Sequence, residues 1–241
     1  SEQNKKDLEQ MGYECPISVV SILIPFKDYE QQPDLDVVNG YSDGNTNIVF
    51  VGRIVPNKKF EDVIACFAAY KKKYDPAARL FLVGNYQETD AYYQHLQEYI
   101  KECGVENVIF PGHIAFRTIL AYYKIADLFL CMSEHEGFCV PLVEAMFFET
   151  PIVAYASTAI PGTLGGSGVL VETKEPETVA ETMNHMMQDA EYRSEILKKQ
   201  DARLKDFAYE SIRGQILDEI EKVQRSKIDK VRKQNGEEKA N

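Results

Sequence analysis

The sequence lacks both a long hydrophobic run and closely spaced cysteines. No stretch of ~18 apolar residues could cross a bilayer, and the first residues do not follow the charged-then-apolar order of a signal peptide. The five cysteines are scattered without a C-x-x-C pair, which is typical of reduced thiols and does not indicate a zinc site. We expect a soluble cytoplasmic protein with no transmembrane segment and no bound metal.

Positive charge is also scarce, because 27 Lys and Arg residues stand against 38 Asp and Glu residues. The net charge of −11 repels nucleic acid and anionic membrane surfaces, so we expect no nucleic-acid partner. Any phosphate ligand must therefore be held by a local group of donors that acts against the overall charge.

Four common nucleotide and hydrolase motifs are missing. The patterns G-x-G-x-x-G and G-x-x-x-x-G-K-[ST] are absent, which argues against an ordinary dinucleotide or ATP site. The patterns G-x-S-x-G and H-E-x-x-H are absent as well, which removes two common hydrolase classes.

Short apolar runs alternate with amphipathic segments from residue 47 onward. This order predicts a doubly wound α/β fold with a parallel, Rossmann-like sheet, right-handed crossovers and a ligand crevice at the carboxyl ends of the strands. We predict strands at 47–52, 79–84, 107–111, 127–132, 151–155 and 169–171, helices at 60–74, 90–103, 116–125, 176–189 and 191–206, and a turn-rich loop at 157–168.

We divide the chain into four segments. Residues 1–46 hold a short helical segment, an apolar strand over 17–24 and a polar loop, and one helix and one strand cannot bury their own apolar faces. We interpret them as the remnant of another domain with its linker. Residues 47–208 form the main domain, a last amphipathic helix covers 209–224, and the polar residues 225–241 are predicted to be disordered.

The stretch S-E-H-E-G-F-C-V-P-L-V-E-A-M, residues 133–146, is the best candidate for a functional site. Pro141 suits the first helical position, so a helix opens here and Glu144 falls in its first turn. The backbone N–H groups of residues 137–140 then lie at the positive end of the helix dipole, which favours a phosphate. Because Glu136 can accept hydrogen bonds from hydroxyls, the combination indicates a sugar phosphate.

Simpler structural roles compete with this interpretation. An acidic residue in the first turn of a helix is commonplace, but Glu144 is surrounded by apolar residues, and a buried carboxylate needs a partner. Cys139 has no base next to it in the sequence, so a packing role is favoured over a nucleophilic one.

Cationic residues follow the first predicted strand. The run V-G-R-I-V-P-N-K-K delivers Arg53 to the crevice and places Lys58 and Lys59 at the start of the next helix. An arginine fork and a mobile lysine suit a diphosphate, and we prefer Lys58 to Lys59 for this role. The alternative is a solvated surface pair of lysines.

These motifs resemble the C-terminal half of retaining GT-B glycosyltransferases, especially those of family 4. The resemblance extends from residue 47 to about 223 and includes two glutamates with seven residues between them, Glu136 and Glu144. The matching runs are V-G-R-I-V-P-N-K-K, F-L-V-G-N, I-F-P-G-H-I, A-D-L-F-L-C-M-S and E-H-E-G-F-C-V-P-L-V-E-A-M.

The resemblance implies a role for each matched residue. Glu136 would contact the hydroxyls of the donor sugar, and Glu144 would contact the ribose. Arg53 and Lys58 would hold the diphosphate, and with Glu136 they form the expected catalytic set. The remaining expected donor-binding residues are Lys59, the backbone of Gly137, Phe138, Cys139 and Val140, and a base pocket bordered by Gly84, Asn85 and Ile114.

The sequence departs from the family pattern at two positions. Cys139 stands where the family usually has glycine, and Gly162 stands where an acidic residue is common. The first departure could restrict the approach of the backbone to a ligand, and the second leaves a ligand contact without its usual side chain.

The implied activity is metal-independent, retaining transfer of a sugar from a UDP-, GDP- or ADP-sugar to a glycan or lipid-linked acceptor, with no cofactor. The chain would be the donor-binding part, residues 47–208, and nearly inactive alone, because the acceptor would bind a missing N-terminal domain. The full-length protein would act in the cytoplasm or at the inner face of the membrane. The alternatives are a nucleotide-sugar epimerase or phosphorylase on the same scaffold, and a binding module without chemistry.

Overall fold

Six parallel strands form one sheet in the order β3-β2-β1-β4-β5-β6. The computed structural model describes the backbone of residues 1–237 and the side chains of residues 1–225 and 227. The strands are β1 (Asn47–Val51), β2 (Arg79–Val83), β3 (Val108–Ile109), β4 (Leu128–Cys131), β5 (Ile152–Tyr155) and β6 (Val169–Val171). All six lie within the predicted strand segments, so the doubly wound, Rossmann-like fold is confirmed.

The central strands are apolar on both faces because helices cover both sides of the sheet. Ile48 and Val49 on β1 are fully buried, as are Leu80 and Phe81 on β2. The helices are α1 (Glu2–Gln10), α2 (Phe26–Tyr29), α3 (Leu35–Tyr41), α4 (Phe60–Lys73), α5 (Ala91–Cys103), α6 (Phe116–Ile125), α7 (Val140–Phe147), α8 (Ile160–Leu164), α9 (Pro176–Gln188), α10 (Ala190–Leu204) and α11 (Tyr209–Glu237).

Helix α4 shows why these segments fold as helices. Its apolar residues recur at helical spacing, and Phe60, Val63, Ile64 and Phe67 are all fully buried. Three lysines occupy its last turn, where positive charge is favourable at the negative end of the helix dipole.

The chain divides into two compact units, residues 26–204 and residues 1–25 with 205 onward. The unit that contains the sheet begins at Phe26 and includes α2 and α3, which lie in the predicted polar loop. Asp34 caps α3 by accepting a hydrogen bond from the N–H of Asp36. Val38 and Tyr41 of α3 pack against a buried cluster of the sheet domain. The interpretation of 1–46 as a remnant of another domain stays a prediction.

Two further predictions about local structure are wrong. Within the described residues 17–24 no strand forms, and Ile22 and Leu23 are exposed, since an apolar run becomes a strand only when a neighbouring strand pairs with it. The predicted loop 157–168 contains α8 between its turns.

The second unit contains α1 and α11. Helix α11 continues to Glu237, well past the predicted end at 224, and residues 238–241 lie outside the described part of the chain. Ion pairs one turn apart, Glu219–Lys222 at 2.6 Å and Glu221–Arg225 at 3.2 Å, support the helix where its apolar periodicity ends. Its apolar residues Ile216, Leu217, Ile220 and Val223 are exposed.

The carboxyl ends of β1 and β2 approach so closely that Gly84 cannot carry a side chain. A Cβ atom at Gly84 would lie 1.8 Å from the carbonyl oxygen of Gly52. The N–H of Gly52 donates to Val83 O at 2.9 Å, and the N–H of Ile54 donates to Asn85 O at 3.3 Å. The two chain segments therefore stay paired beyond the ends of the strands.

We predict that Gly84→Ala lowers the free energy of unfolding by about 2–3 kcal/mol, because the clash is with backbone and cannot be relieved by a side-chain rotation. The matched control is Gly40→Ala in α3, where a Cβ meets no atom within 4 Å and a change of about 1 kcal/mol or less is expected. Urea unfolding of both variants checks this. Equal stability of the two variants would contradict the packing argument.

Candidate functional site

The candidate site lies where the strand order reverses. Strands β1 and β4 are neighbours, and the chain winds away from them in opposite directions, so the loops that follow them open a crevice between them. The loop after β1 carries Arg53 and Lys58, and the loop after β4 carries Glu136.

The loop after β1 ends in a tight turn at Pro56–Lys58. Lys59 then adopts a left-handed backbone conformation, with φ of 52°, and caps the start of α4. Asn57 connects this turn to the loop after β4. Its carbonyl accepts from the N–H of Glu134 at 3.0 Å, and its side-chain amide donates to the carbonyl of His135 at 3.1 Å.

Hydroxyl groups from the segment after β5 hold the other side of the loop after β4. The Ser157 hydroxyl donates to the carbonyl of buried Ser133 at 2.5 Å. The N–H of Glu136 donates to Thr158 Oγ1 at 2.9 Å, and the Thr163 hydroxyl donates to the carbonyl of Phe138. The loop that presents Glu136 is therefore fixed from both neighbouring strands.

Lys58 and Glu136 meet across the crevice. The Lys58 Nζ atom lies 2.6 Å from Glu136 Oε1, and the side chains are 19% and 6% exposed. Removing one partner of a pair with this little exposure is costly, because the charge of the other partner stays poorly solvated. The structure thus brings together two predicted site residues that are 78 positions apart in the sequence.

Arg53 lies on the same loop as Lys58 and is exposed. Among the described residues it has no carboxylate partner, whereas Lys59 contacts Glu61 at 3.4 Å and Glu134 at 3.5 Å. Glu134 also contacts Lys174 at 2.9 Å, although no sequence motif pointed to Lys174. Arg53 is therefore available to an anion, and Lys59 belongs to a network of surface charges.

The start of α7 differs in detail from the prediction. The helix begins at Val140, so Pro141 is its second residue, and Glu144 falls in the second turn and not in the first. The expectation that residues 137–140 lie at the helix start is confirmed. Cys139 precedes the helix with φ of 70° and ψ of 68°, and its side chain does not cap the first turn.

This backbone conformation explains why glycine suits position 139. A positive φ is unstrained for glycine and costs a residue with a Cβ about 1 kcal/mol or more. At Gly137, which is exposed, a Cβ would meet no atom within 4 Å, so the crevice is open beside Glu136.

Glu144 has the partners that a buried carboxylate requires. The Tyr29 hydroxyl donates to Oε1 at 3.1 Å, and the Tyr123 hydroxyl donates to Oε2 at 2.7 Å. Burial raises the pKa of Glu144 above its ordinary value, and the two hydrogen bonds act in the opposite direction. Within the described residues Glu144 makes no hydrogen bond to Lys58 or Glu136.

The remaining predicted residues follow β2 and β3. The carbonyl of Asn85 accepts a hydrogen bond from the N–H of Ile54 in the loop after β1, and Gly84 allows the ends of β1 and β2 to approach each other. The half-buried side chain of Ile114 packs against a cluster that includes Val49 and Phe81.

Two thiols lie next to Glu136. The Sγ atoms of Cys131 and Cys139 and a carboxylate oxygen of Glu136 are all within 4.8 Å of one another. All three residues are buried, with Cys139 only 5% exposed. The packing role predicted for Cys139 fits this burial, but the proximity of Cys131 was not visible in the sequence.

The fold is an α/β domain of the Rossmann type, with the candidate site at the point where the strand order reverses. The model of the family "Glycosyl transferases group 1" matches residues 31–203, and the chain belongs to this family, whose fold is of the GT-B type. None of the helices described is both long enough and apolar enough to cross a membrane.

Individual relatives agree with this assignment. An uncharacterized glycosyltransferase of Methanocaldococcus jannaschii is 26% identical over 161 residues, which are 66% of this chain and 40% of that protein. The chain thus spans less than half the length of this curated relative.

Two solved structures resemble the fold. Anabaena HepE in complex with UDP and glucose has a TM-score of 0.79 at 22% identity, covering 92% of this chain and 62% of that one. The C-terminal domain of a glycosyl transferase group 1 protein from Francisella tularensis has a TM-score of 0.61 at 26% identity, covering 72% of this chain and 93% of that one.

The raised pKa of Glu144 predicts a specific pH dependence. The folded state binds this proton more tightly than the unfolded chain does, so the associated stabilisation is present at low pH and is lost as pH rises through the folded pKa. We expect the free energy of unfolding of the wild type, relative to Glu144→Gln, to fall with rising pH over a range that begins at about pH 4.3, the ordinary pKa of a glutamate. Urea unfolding across this range measures the difference.

The control for this prediction is Glu102→Gln on α5, where the carboxylate is exposed. Its difference from the wild type is expected to stay nearly constant with pH. If the difference in unfolding free energy between the wild type and Glu144→Gln is constant with pH, or changes in the opposite direction, burial does not destabilise the charged form of Glu144 and the account is contradicted.

Proposed function

We propose that this chain is the donor-binding part of a retaining, metal-independent glycosyltransferase of the family 4 type, which uses a nucleotide-sugar. The observation that carries the proposal is the Lys58–Glu136 pair, at 2.6 Å, in the crevice between β1 and β4. Membership of the group 1 family supports it, and so does the similarity to HepE, which was solved with UDP and glucose.

The diphosphate is assigned to the cationic side of the crevice. Arg53 is exposed and has no carboxylate partner among the residues described, and Lys58 reaches the crevice from the same loop. The start of α7 adds backbone N–H groups at the positive end of a helix dipole. These local donors are needed because the whole chain carries a net charge of −11.

The sugar is assigned to Glu136. Its carboxylate is held by Lys58 and by the hydrogen bond of its own backbone N–H to Thr158, so its position is fixed before a ligand binds. A fixed carboxylate can accept two hydroxyl hydrogen bonds from a sugar, and Gly137 leaves open space beside it.

The nucleoside is assigned to the rim formed by Glu144 and the end of β2. Tyr29 and Tyr123 orient the Glu144 carboxylate, so the second acidic residue is also preorganised. Gly84, Asn85 and Ile114 would border the base, with Gly84 and Ile114 contributing mainly backbone.

The proposed reaction breaks the bond between the anomeric carbon and the diphosphate oxygen. Negative charge develops on the leaving oxygen, and Arg53, Lys58 and the start of α7 stabilise it in place of a metal ion. The acceptor hydroxyl attacks on the same face of the sugar, and its proton passes to the departing diphosphate oxygen as the new bond forms. A further domain would bind the glycan or lipid-linked acceptor, so we expect the isolated chain to bind donor with little turnover.

Substitution of Arg53 tests the diphosphate assignment. We expect Arg53→Ala to weaken binding of the preferred member of UDP, GDP and ADP by at least about tenfold, because a charge-assisted hydrogen bond is worth about 1.5–3 kcal/mol. Isothermal titration calorimetry measures the affinity, and Arg213→Ala on α11 is the control with an exposed arginine. Wild-type affinity in Arg53→Ala would refute the assignment.

Substitution of Glu136 tests the sugar assignment separately. We expect Glu136→Gln to lower the affinity for the nucleotide-sugar by about tenfold. The affinity for the free nucleoside diphosphate should fall much less, since the lost contact is to the sugar. Glu134→Gln, two residues earlier and exposed, is the control. An equal loss for both ligands would show that Glu136 acts on the diphosphate side.

A further inference from the structure

Cys131, Glu136 and Cys139 form a compact, buried cluster. The three ligand atoms lie within 4.8 Å of one another. Cys131 ends β4, Cys139 precedes α7 and Glu136 lies on the loop between them, so the turn from β4 into α7 brings the three side chains together within nine residues.

We propose that this cluster is a binding site for a soft divalent cation such as Zn²⁺ or Cd²⁺. Two thiolates and one carboxylate are ligands that these ions accept. Tetrahedral Zn²⁺, with bonds of about 2.0–2.3 Å, places its ligands about 3.5–3.8 Å apart, so closure around the ion requires only a small contraction of the cluster. Three protein ligands leave the fourth position to water.

The charges of the cluster balance when the ion is bound. Both thiols lose their protons to solvent, and the two thiolates and the carboxylate are neutralised by the divalent ion together with Lys58, whose Nζ atom lies 2.6 Å from Glu136. No charge then remains uncompensated in the buried site.

The surroundings position the ligands and leave a path to them. Ser133 Oγ lies 3.5 Å from Cys131 Sγ, and Ser157 in turn donates to the Ser133 carbonyl. Such outer contacts orient metal ligands. Exposed Gly137, with open space where a side chain would project, gives the ion access from solvent.

Binding of the ion would be inhibitory. This consequence rests on the proposed function, in which the Glu136 carboxylate accepts hydrogen bonds from the donor sugar. A carboxylate that ligates a cation is no longer available to the sugar. The cation is therefore a competitor of the donor and not a cofactor of the transfer.

Cadmium titration of the reduced, metal-free full chain tests the site. We expect one Cd²⁺ per chain, with the ultraviolet charge-transfer absorbance of two cadmium–thiolate bonds. Cys139→Gly removes one ligand and relieves the positive φ at this position, so it is expected to fold and to lose at least tenfold in affinity. Glu136→Gln is expected to weaken binding without halving the thiolate absorbance.

The control is the double variant Cys15→Ser with Cys103→Ser, which removes two cysteines outside the cluster and should bind Cd²⁺ like the wild type. The site is overturned if Cys139→Gly binds with wild-type affinity and absorbance, or if the absorbance depends on Cys15 or Cys103.

Competition with UDP-glucose or GDP-mannose, whichever the wild type binds, separates this proposal from the proposed function. Saturating Cd²⁺ should lower the affinity for the nucleotide-sugar at least tenfold and lower the affinity for the free nucleoside diphosphate less. If Cd²⁺ binds through both cysteines and the nucleotide-sugar affinity is unchanged, the metal site stands, and the assignment of Glu136 to the sugar is refuted.

Discussion

A lysine and a glutamate from the loops after two neighbouring strands meet at 2.6 Å at the point where the sheet reverses its winding. Because both side chains are largely buried, each charge depends on the other, and the loops that carry them cannot move apart without leaving a charge poorly solvated. The backbone and amide of Asn57 reinforce the same connection. The Lys58–Glu136 contact therefore fixes the crevice in a geometry that can receive a ligand before the ligand arrives.

Backbone constraints set the two sides of this crevice. Gly84 permits the ends of β1 and β2 to touch, and the left-handed conformation at Cys139 turns the loop after β4 into α7. In both places a side chain is excluded or strained, and the helix start that follows Cys139 favours an anion. In the proposed reaction, such a site would stabilise the charge of the leaving group and would need no nucleophile of its own.

The sequence predicted the sheet and its helices because the apolar runs of β1, β2 and β4 are continuous and buried on both faces, a pattern with one common structural solution. It also predicted that Lys58 and Glu136 lie near each other, since both follow parallel strands whose carboxyl ends share an edge. The sequence did not predict α2, a single helical turn whose Tyr29 contacts Glu144, 115 positions away in the chain. It also did not predict that Cys131 lies close to Cys139. Such contacts depend on tertiary packing, which leaves no local periodicity to detect. The binding roles of the site residues stay predictions.

A double-mutant cycle on Lys58→Met and Glu136→Gln, measured as the binding free energy of the nucleotide-sugar, tests the central claim most directly. If the two residues act as one unit on the bound donor, their effects will be non-additive, with a coupling energy of at least about 1 kcal/mol. Effects that add to within about 0.3 kcal/mol would contradict the account, because they would show that the ion pair does not organise the site.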